Sequence, residues 1–182
     1  MKAAQITSQY KVDLVQLDDI RSLSDDDVLI KINILGLCGS DLTTYRGMNP
    51  LVSFPRIPGH EIAGEIVNTG KNTPGNLIPH QKVTIWPYSF CGICPSCRQG
   101  KINCCRENKT YGVQRDGAAI EYLAVPAKFV IPVPELQDEL ISLIEPLSVG
   151  WHSTERGKVE EGSYTAVFGC GLIGLEIGRA HV

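Results

Sequence analysis

No stretch of the 182 residues is apolar for long enough to cross a membrane; segments rich in apolar side chains, such as residues 32–37, fall far short of the ~20 needed. There is no excess of positive charge either. Lys and Arg number 17 against 20 Asp and Glu, a net charge of -3, which excludes a general attraction to nucleic acid. The start, Met1-Lys2-Ala3-Ala4-Gln5, carries no apolar leader, so a secretory signal is not expected and the cytoplasm is the expected compartment. No internal repeat and no low-complexity segment appears. The seven cysteines are odd in number and clustered, which argues against a disulfide framework and for metal.

Hydrophobic residues make up 43% and charged residues 20%, a globular balance, and the length suits one good-sized domain with part of a second. Residues 2–16 read as a β-hairpin turning near Ser8-Gln9. Residues 28–37 alternate with period two, placing Val28, Ile30, Ile32 and Ile34 on one face and delivering Cys38 at the end of the strand. A short helix is expected over 40–45, capped by Ser40 or Asp41. Strands are expected over 60–67, 81–86, 121–125 and 129–133, with a proline-stiffened loop over 49–58. The character then changes: a helix over 138–150, a buried strand over 164–168, a glycine-rich turn and a further helix. The expected organisation is a mostly β domain over 1–146 and the first βα unit of an α/β domain over 147–176.

Cys91, Cys94, Cys97 and Cys105 follow C-x2-C-x2-C-x7-C. Four thiolates close a tetrahedral shell around zinc and leave no position for water, so such a site is structural. Cys104 is the alternative fourth ligand, and an iron–sulfur cluster the rival metal.

A sparser constellation joins Cys38, His60, Glu61 and Glu145. A neutral imidazole beside a carboxylate is a good zinc ligand set. Spacing alone does not make the site: a lone histidine at a strand start is commonly a hydrogen-bonded structural residue, and Cys38 by itself is a small apolar side chain.

Taken in order, Cys38-Gly39-Ser40-Asp41, Gly59-His60-Glu61-x2-Gly64-x5-Gly70, the cysteine loop, Glu145-Pro146-Leu147-Ser148-Val149-Gly150 and Gly169-x-Gly171-x-x-Gly174 resemble the zinc-dependent medium-chain alcohol dehydrogenases. The Glu145 motif is similar to the polyol branch, including sorbitol and threonine dehydrogenases. The resemblance implies a GroES-like catalytic domain followed by a truncated Rossmann domain. It also implies two zinc ions per full-length chain, NAD or NADP, a polyol or hydroxy-acid substrate, no nucleic-acid or membrane partner, and a homo-oligomeric full-length protein. Cys38 and His60 would bind the catalytic zinc; Glu61 and Glu145 would complete the shell, or one would reach the metal through water. Cys105 would be the fourth ligand of the structural zinc. Ser40 would accept the substrate hydroxyl proton, Asp41 would hold the His60 ring, and Tyr45 and Arg46 are candidates to line the pocket. Thr43 stands where many relatives carry a histidine that ends a proton relay, and Thr73 departs from the usual apolar residue of the signature. A zinc-binding regulatory or interaction protein of the same fold is the alternative function.

Gly169, Gly171 and Gly174 follow an expected strand and open a helix, the context in which this fingerprint lets a pyrophosphate approach a helix N-terminus. The acidic residue that separates NAD from NADP would come about 20 positions on, beyond the last residue. The chain as written is therefore expected to stop before the enzyme is finished. Residues 177–182, Ile-Gly-Arg-Ala-His-Val, are the hexapeptide that ATC GGA AGA GCA CAC GTC, the start of a common short-read sequencing adapter, would encode. They are expected to be adapter read-through, which resequencing across this position tests.

Overall fold

The structure, a computed structural model, describes residues 1–18, 23–133 and 135–181. It divides into two compact units, Met1–Ser142 and Leu143–Val182.

In the first unit, β1 (Lys2–Ser8) and β2 (Lys11–Gln16) form the expected antiparallel hairpin. A five-stranded antiparallel sheet follows. It is built from β3 (Asp27–Gly36), β4 (Glu61–Thr69), β5 (Lys82–Ile85), β6 (Tyr122–Pro126) and β7 (Val130–Pro132), in the order β6-β3-β4-β5-β7. The period-two pattern of β3 explains its burial. Val28 and Ile30 are fully buried, and they pack with Ile62, Ile66, Val83, Ile85 and Val125 into one core. Ile32 and Ile34 are only half-buried, because the β3–β4 pairing shifts register between Ile32 and Ile34 and turns the strand end away. That end pairs Gly36 with Glu61 and so brings Cys38 and His60 together at one end of these two inner strands.

Among the described residues the unit also holds three α-helices: α1 (Gly39–Tyr45), α2 (Pro95–Arg98) within the cysteine loop, and α3 (Asp138–Ser142). Buried Ile141 lies on α3.

The second unit holds α4 (Ile144–Arg156) and α5 (Leu172–His181). The single helix expected over 138–150 is two, broken at Leu143. Pro146 has no N–H to give to Ser142, and its ring crowds that carbonyl, so α3 stops there and a new first turn begins. Gly150 marks the close approach of α4 and α5: a Cβ there would lie 2.8 Å from the Cβ of Glu176.

The buried strand expected over 164–168 is not found. Those residues pair with no strand among the described residues, and Tyr164 and Phe168 are fully exposed. A parallel strand exists only through hydrogen bonds to a neighbour, and apolar character alone does not supply one. Residues 177–181 continue α5, and Val182 lies outside the described residues. Among the described residues, no helix is long and apolar enough to cross a membrane.

Candidate metal centres

The backbone around His60 is held from three directions before any side chain is considered. Gly117 N–H donates to Ile57 O (2.8 Å), Ala119 N–H to Pro58 O (2.9 Å) and Ala118 N–H to Gly59 O (3.0 Å). Asp116 Oδ1 accepts from Ile57 N–H at 3.0 Å and from Arg56 Nη1 at 3.1 Å. Gly59 adopts φ +101°, and a Cβ there would strike Leu35. A Cβ on Gly117 would strike the carbonyl oxygens of Gly59 and Pro58. Only glycine fits either place. The clamp formed by residues 116–119 escapes sequence reading, because Asp116 meets a partner 59 positions away with no spacing rule to connect them.

Asp41 is the third support. It is buried, with 6% exposure, in the first turn of α1. Its Oδ2 accepts from Cys38 N–H at 2.9 Å and its Oδ1 from Gly59 N–H at 3.2 Å. One carboxylate thus ties the strand end that carries Cys38 to the loop that carries His60. It also satisfies a backbone donor at a helix start, where donors lack intrahelical partners. The resemblance implies that Asp41 holds the His60 ring; the bonds seen here run from its carboxylate to the backbone on both sides.

The outcome is a cluster in which one ligand atom each from Cys38, His60 and Glu61 lie within 4.8 Å of one another. His60 and Glu61 are buried and Cys38 is half-buried. The His60 ring, with Ser40 assisting, holds the Cys38 thiol below its ordinary value against the desolvation that raises it. A thiolate, an imidazole and a carboxylate in a buried pocket fit zinc. Glu145, the fourth expected ligand, belongs to the second unit, where it is buried in the first turn of α4. Thr43 Oγ1 donates to Gly39 O at 2.9 Å, so its hydroxyl proton is already placed within α1.

The cysteine loop gathers Cys91, Cys94, Cys97 and Cys105 with sulfurs within 4.8 Å of one another, while Cys104 is exposed outside the group. Amides point at the sulfurs: Cys91 N–H and Glu107 N–H donate to Cys105 Sγ, both at 3.3 Å, and Cys94 N–H donates to Cys91 Sγ at 3.4 Å. Amide donors of Arg106 and Cys97 push the Cys94 thiol down to about 6. Desolvation, with the neighbouring sulfurs adding to it, pushes Cys97 up to about 12. Four thiols this close cannot all release their protons unless a cation stands among them, and a coordinating thiol is deprotonated outright. The donor set fits a closed zinc site.

In the second unit, Gly169 takes φ +107° ahead of α5, and a Cβ on Gly174 would strike Gly169 O. Gly171 O accepts Leu175 N–H at 3.0 Å, which closes the first turn of the helix. The glycines therefore form a tight turn entering a helix.

Residues 24–135 match the alcohol dehydrogenase GroES-like domain. L-galactonate-5-dehydrogenase of Escherichia coli K12 is 40% identical over 151 residues, covering 83% of this chain and 44% of that protein. Sorbitol dehydrogenase of Bacillus subtilis 168 is 37% identical over 182 residues, covering 96% and 50%. The crystal structure of an E. coli CFT073 protein described as short chain alcohol dehydrogenase (rspB), complexed with NADH, superposes with TM-score 0.89 at 34% identity, covering 97% of this chain and 51% of that one. The chain spans about half the length of the curated relatives it matches.

Proposed function

The chain belongs to the zinc-type medium-chain alcohol dehydrogenase family, and on that premise we propose that it is the metal-holding part of an NAD(P)-linked oxidoreductase. The reaction interconverts a secondary alcohol of a polyol, sugar acid or related hydroxy compound and its ketone. The buried cluster of Cys38, His60 and Glu61, with ligand atoms within 4.8 Å of one another, carries this reading. Relatives named for L-galactonate and sorbitol support the substrate class.

Zinc, when bound by Cys38, His60 and a carboxylate of Glu61 or Glu145, supplies Lewis acidity toward the substrate hydroxyl. The rest is done by the chain. Asp41 and the 116–119 clamp fix the ligand-bearing backbone, so little reorganisation is left to the reaction. Ser40, beside the Cys38 sulfur at the start of α1, takes the hydroxyl proton. Thr43 does not titrate and donates a hydrogen bond to Gly39 O, so it would not end a proton relay, and Ser40 would pass the proton on to water. Gly169, Gly171 and Gly174 form the turn that admits the pyrophosphate of the nicotinamide cofactor. Cys91, Cys94, Cys97 and Cys105 hold a second zinc that pins their loop and takes no part in the chemistry.

Metal analysis tests the reading. The full-length protein is expected to carry two zinc ions per chain, Cys38→Ser to reduce this to one, and Cys94→Ser to remove the other. A wild-type stoichiometry of one, unchanged by Cys38→Ser, contradicts the catalytic site.

A further inference from the structure

We infer that the hairpin turn at Gln9-Tyr10 is the outer clamp of α1, and that Tyr10 is a positioning residue for the helix that carries Ser40 and Asp41. The inference concerns the scaffold of the site proposed above and rests on that reading for its functional meaning.

A helix of seven residues is marginal on its own, so α1 depends on its surroundings: Thr44 is buried, and both ends are held by hydrogen bonds from outside the helix. The N-terminal end is fixed by Asp41 through Cys38 and Gly59. The C-terminal end exposes carbonyls that have no intrahelical donor. Two of the residues there are met by the β1–β2 turn: Tyr10 N–H donates to Tyr45 O at 2.7 Å, and Gln9 Nε2 donates to Arg46 O at 2.9 Å. Gly47, which ends the helix at φ +68°, leaves just enough room for Gln9, whose side-chain carbons would lie 3.1–3.3 Å from a Cβ at that position. The Tyr10 and Tyr45 rings meet edge to face, centroids 5.6 Å apart and planes at 87°.

Tyr10 holds φ +61°, a left-handed conformation that glycine or asparagine adopts more easily in a hairpin turn. The backbone is therefore strained where the ring is wanted. Tyr10 itself is 61% exposed, so core burial does not explain the choice. The ring does reach the end of α1, the helix that places Ser40 and Asp41 beside the metal ligands.

Amide hydrogen exchange on the 182-residue chain tests the clamp. Tyr10→Gly suits the local conformation, so the hairpin folds, and only the ring contact is lost. Exchange over residues 42–47 is then expected to rise about fivefold, the size of one lost aromatic edge contact, with amides of β3 and β4 unchanged. Adding Gln9→Ala raises it further, and Tyr10→Phe, which keeps the ring, restores the wild-type rate. With cobalt in place of zinc, the absorption bands assigned to the Cys38 site shift in Tyr10→Gly and return in Tyr10→Phe. Unchanged exchange over 42–47 in Tyr10→Gly overturns the proposal, as does an equal rise in β3 and β4, which would mean general destabilisation. Exchange needs no metal, so it decides the clamp separately from zinc counting.

Discussion

Asp41 is a short acidic side chain with two oxygens, and each oxygen holds a different backbone segment of the site. That geometry cannot be shared with an amide. Asp41→Asn preserves shape but turns one acceptor into a donor facing a backbone N–H, leaving a buried donor unmatched. We expect a loss of about 2 kcal/mol in stability and a 10- to 100-fold weakening of zinc at the Cys38 site, the usual cost of losing a ligand's supporting partner. Zinc in the four-cysteine loop stays bound. Competition with a chromophoric chelator separates the two sites, and equal weakening of both would contradict the assignment. Much at this scale is legible without a structure. The four cysteines announce themselves because their spacing is local. Asp116 does not, because nothing in the sequence links it to Ile57 across 59 positions.

At the scale of elements, period-two alternation marks the strands well, since a half-buried sheet face is a local pattern. The register shift within β3 and the break between α3 and α4 are less legible, because they depend on strand pairing and on a helical hydrogen bond that Pro146 cannot make. Helix α3 is then held to the sheet by charge as well as by Ile141. Asp138 on α3 pairs with Lys82 of β5 at 2.8 Å and accepts from Asn33 of β3 at 3.0 Å. The Lys82 hydrogen bond, with Asn33 assisting, holds the Asp138 carboxyl below its ordinary value against desolvation. A carboxyl lowered on folding stabilises the native state above its unfolded value, about 3.9, and that contribution is lost as pH falls through the lower folded value. Asp138→Asn should therefore cost about 1 kcal/mol at pH 7, with the difference from wild type shrinking below about pH 4. Denaturant unfolding at a series of pH values measures it; a gap that widens in acid would refute the sign.

On the scale of the whole molecule, the two units stand differently. The first has a five-stranded sheet, one continuous core and both candidate metal sites apart from Glu145. The second has α4, α5 and a glycine turn, while Tyr164 and Phe168, where a sheet strand is expected, face solvent. A parallel sheet needs several strands with helices on both faces before it can present a dinucleotide at the carboxyl ends of its strands. Metal binding and turnover should therefore separate in this polypeptide. The 182-residue chain should hold zinc yet show no measurable dehydrogenase activity with NAD or NADP across a panel of polyols and hydroxy acids. If the proposed function holds, a longer polypeptide that supplies the rest of such a sheet should show it. Absorbance at 340 nm follows the reduced nicotinamide. Turnover by the short chain would mean that the glycine turn and α5 suffice to present the cofactor, against the requirement for a built sheet.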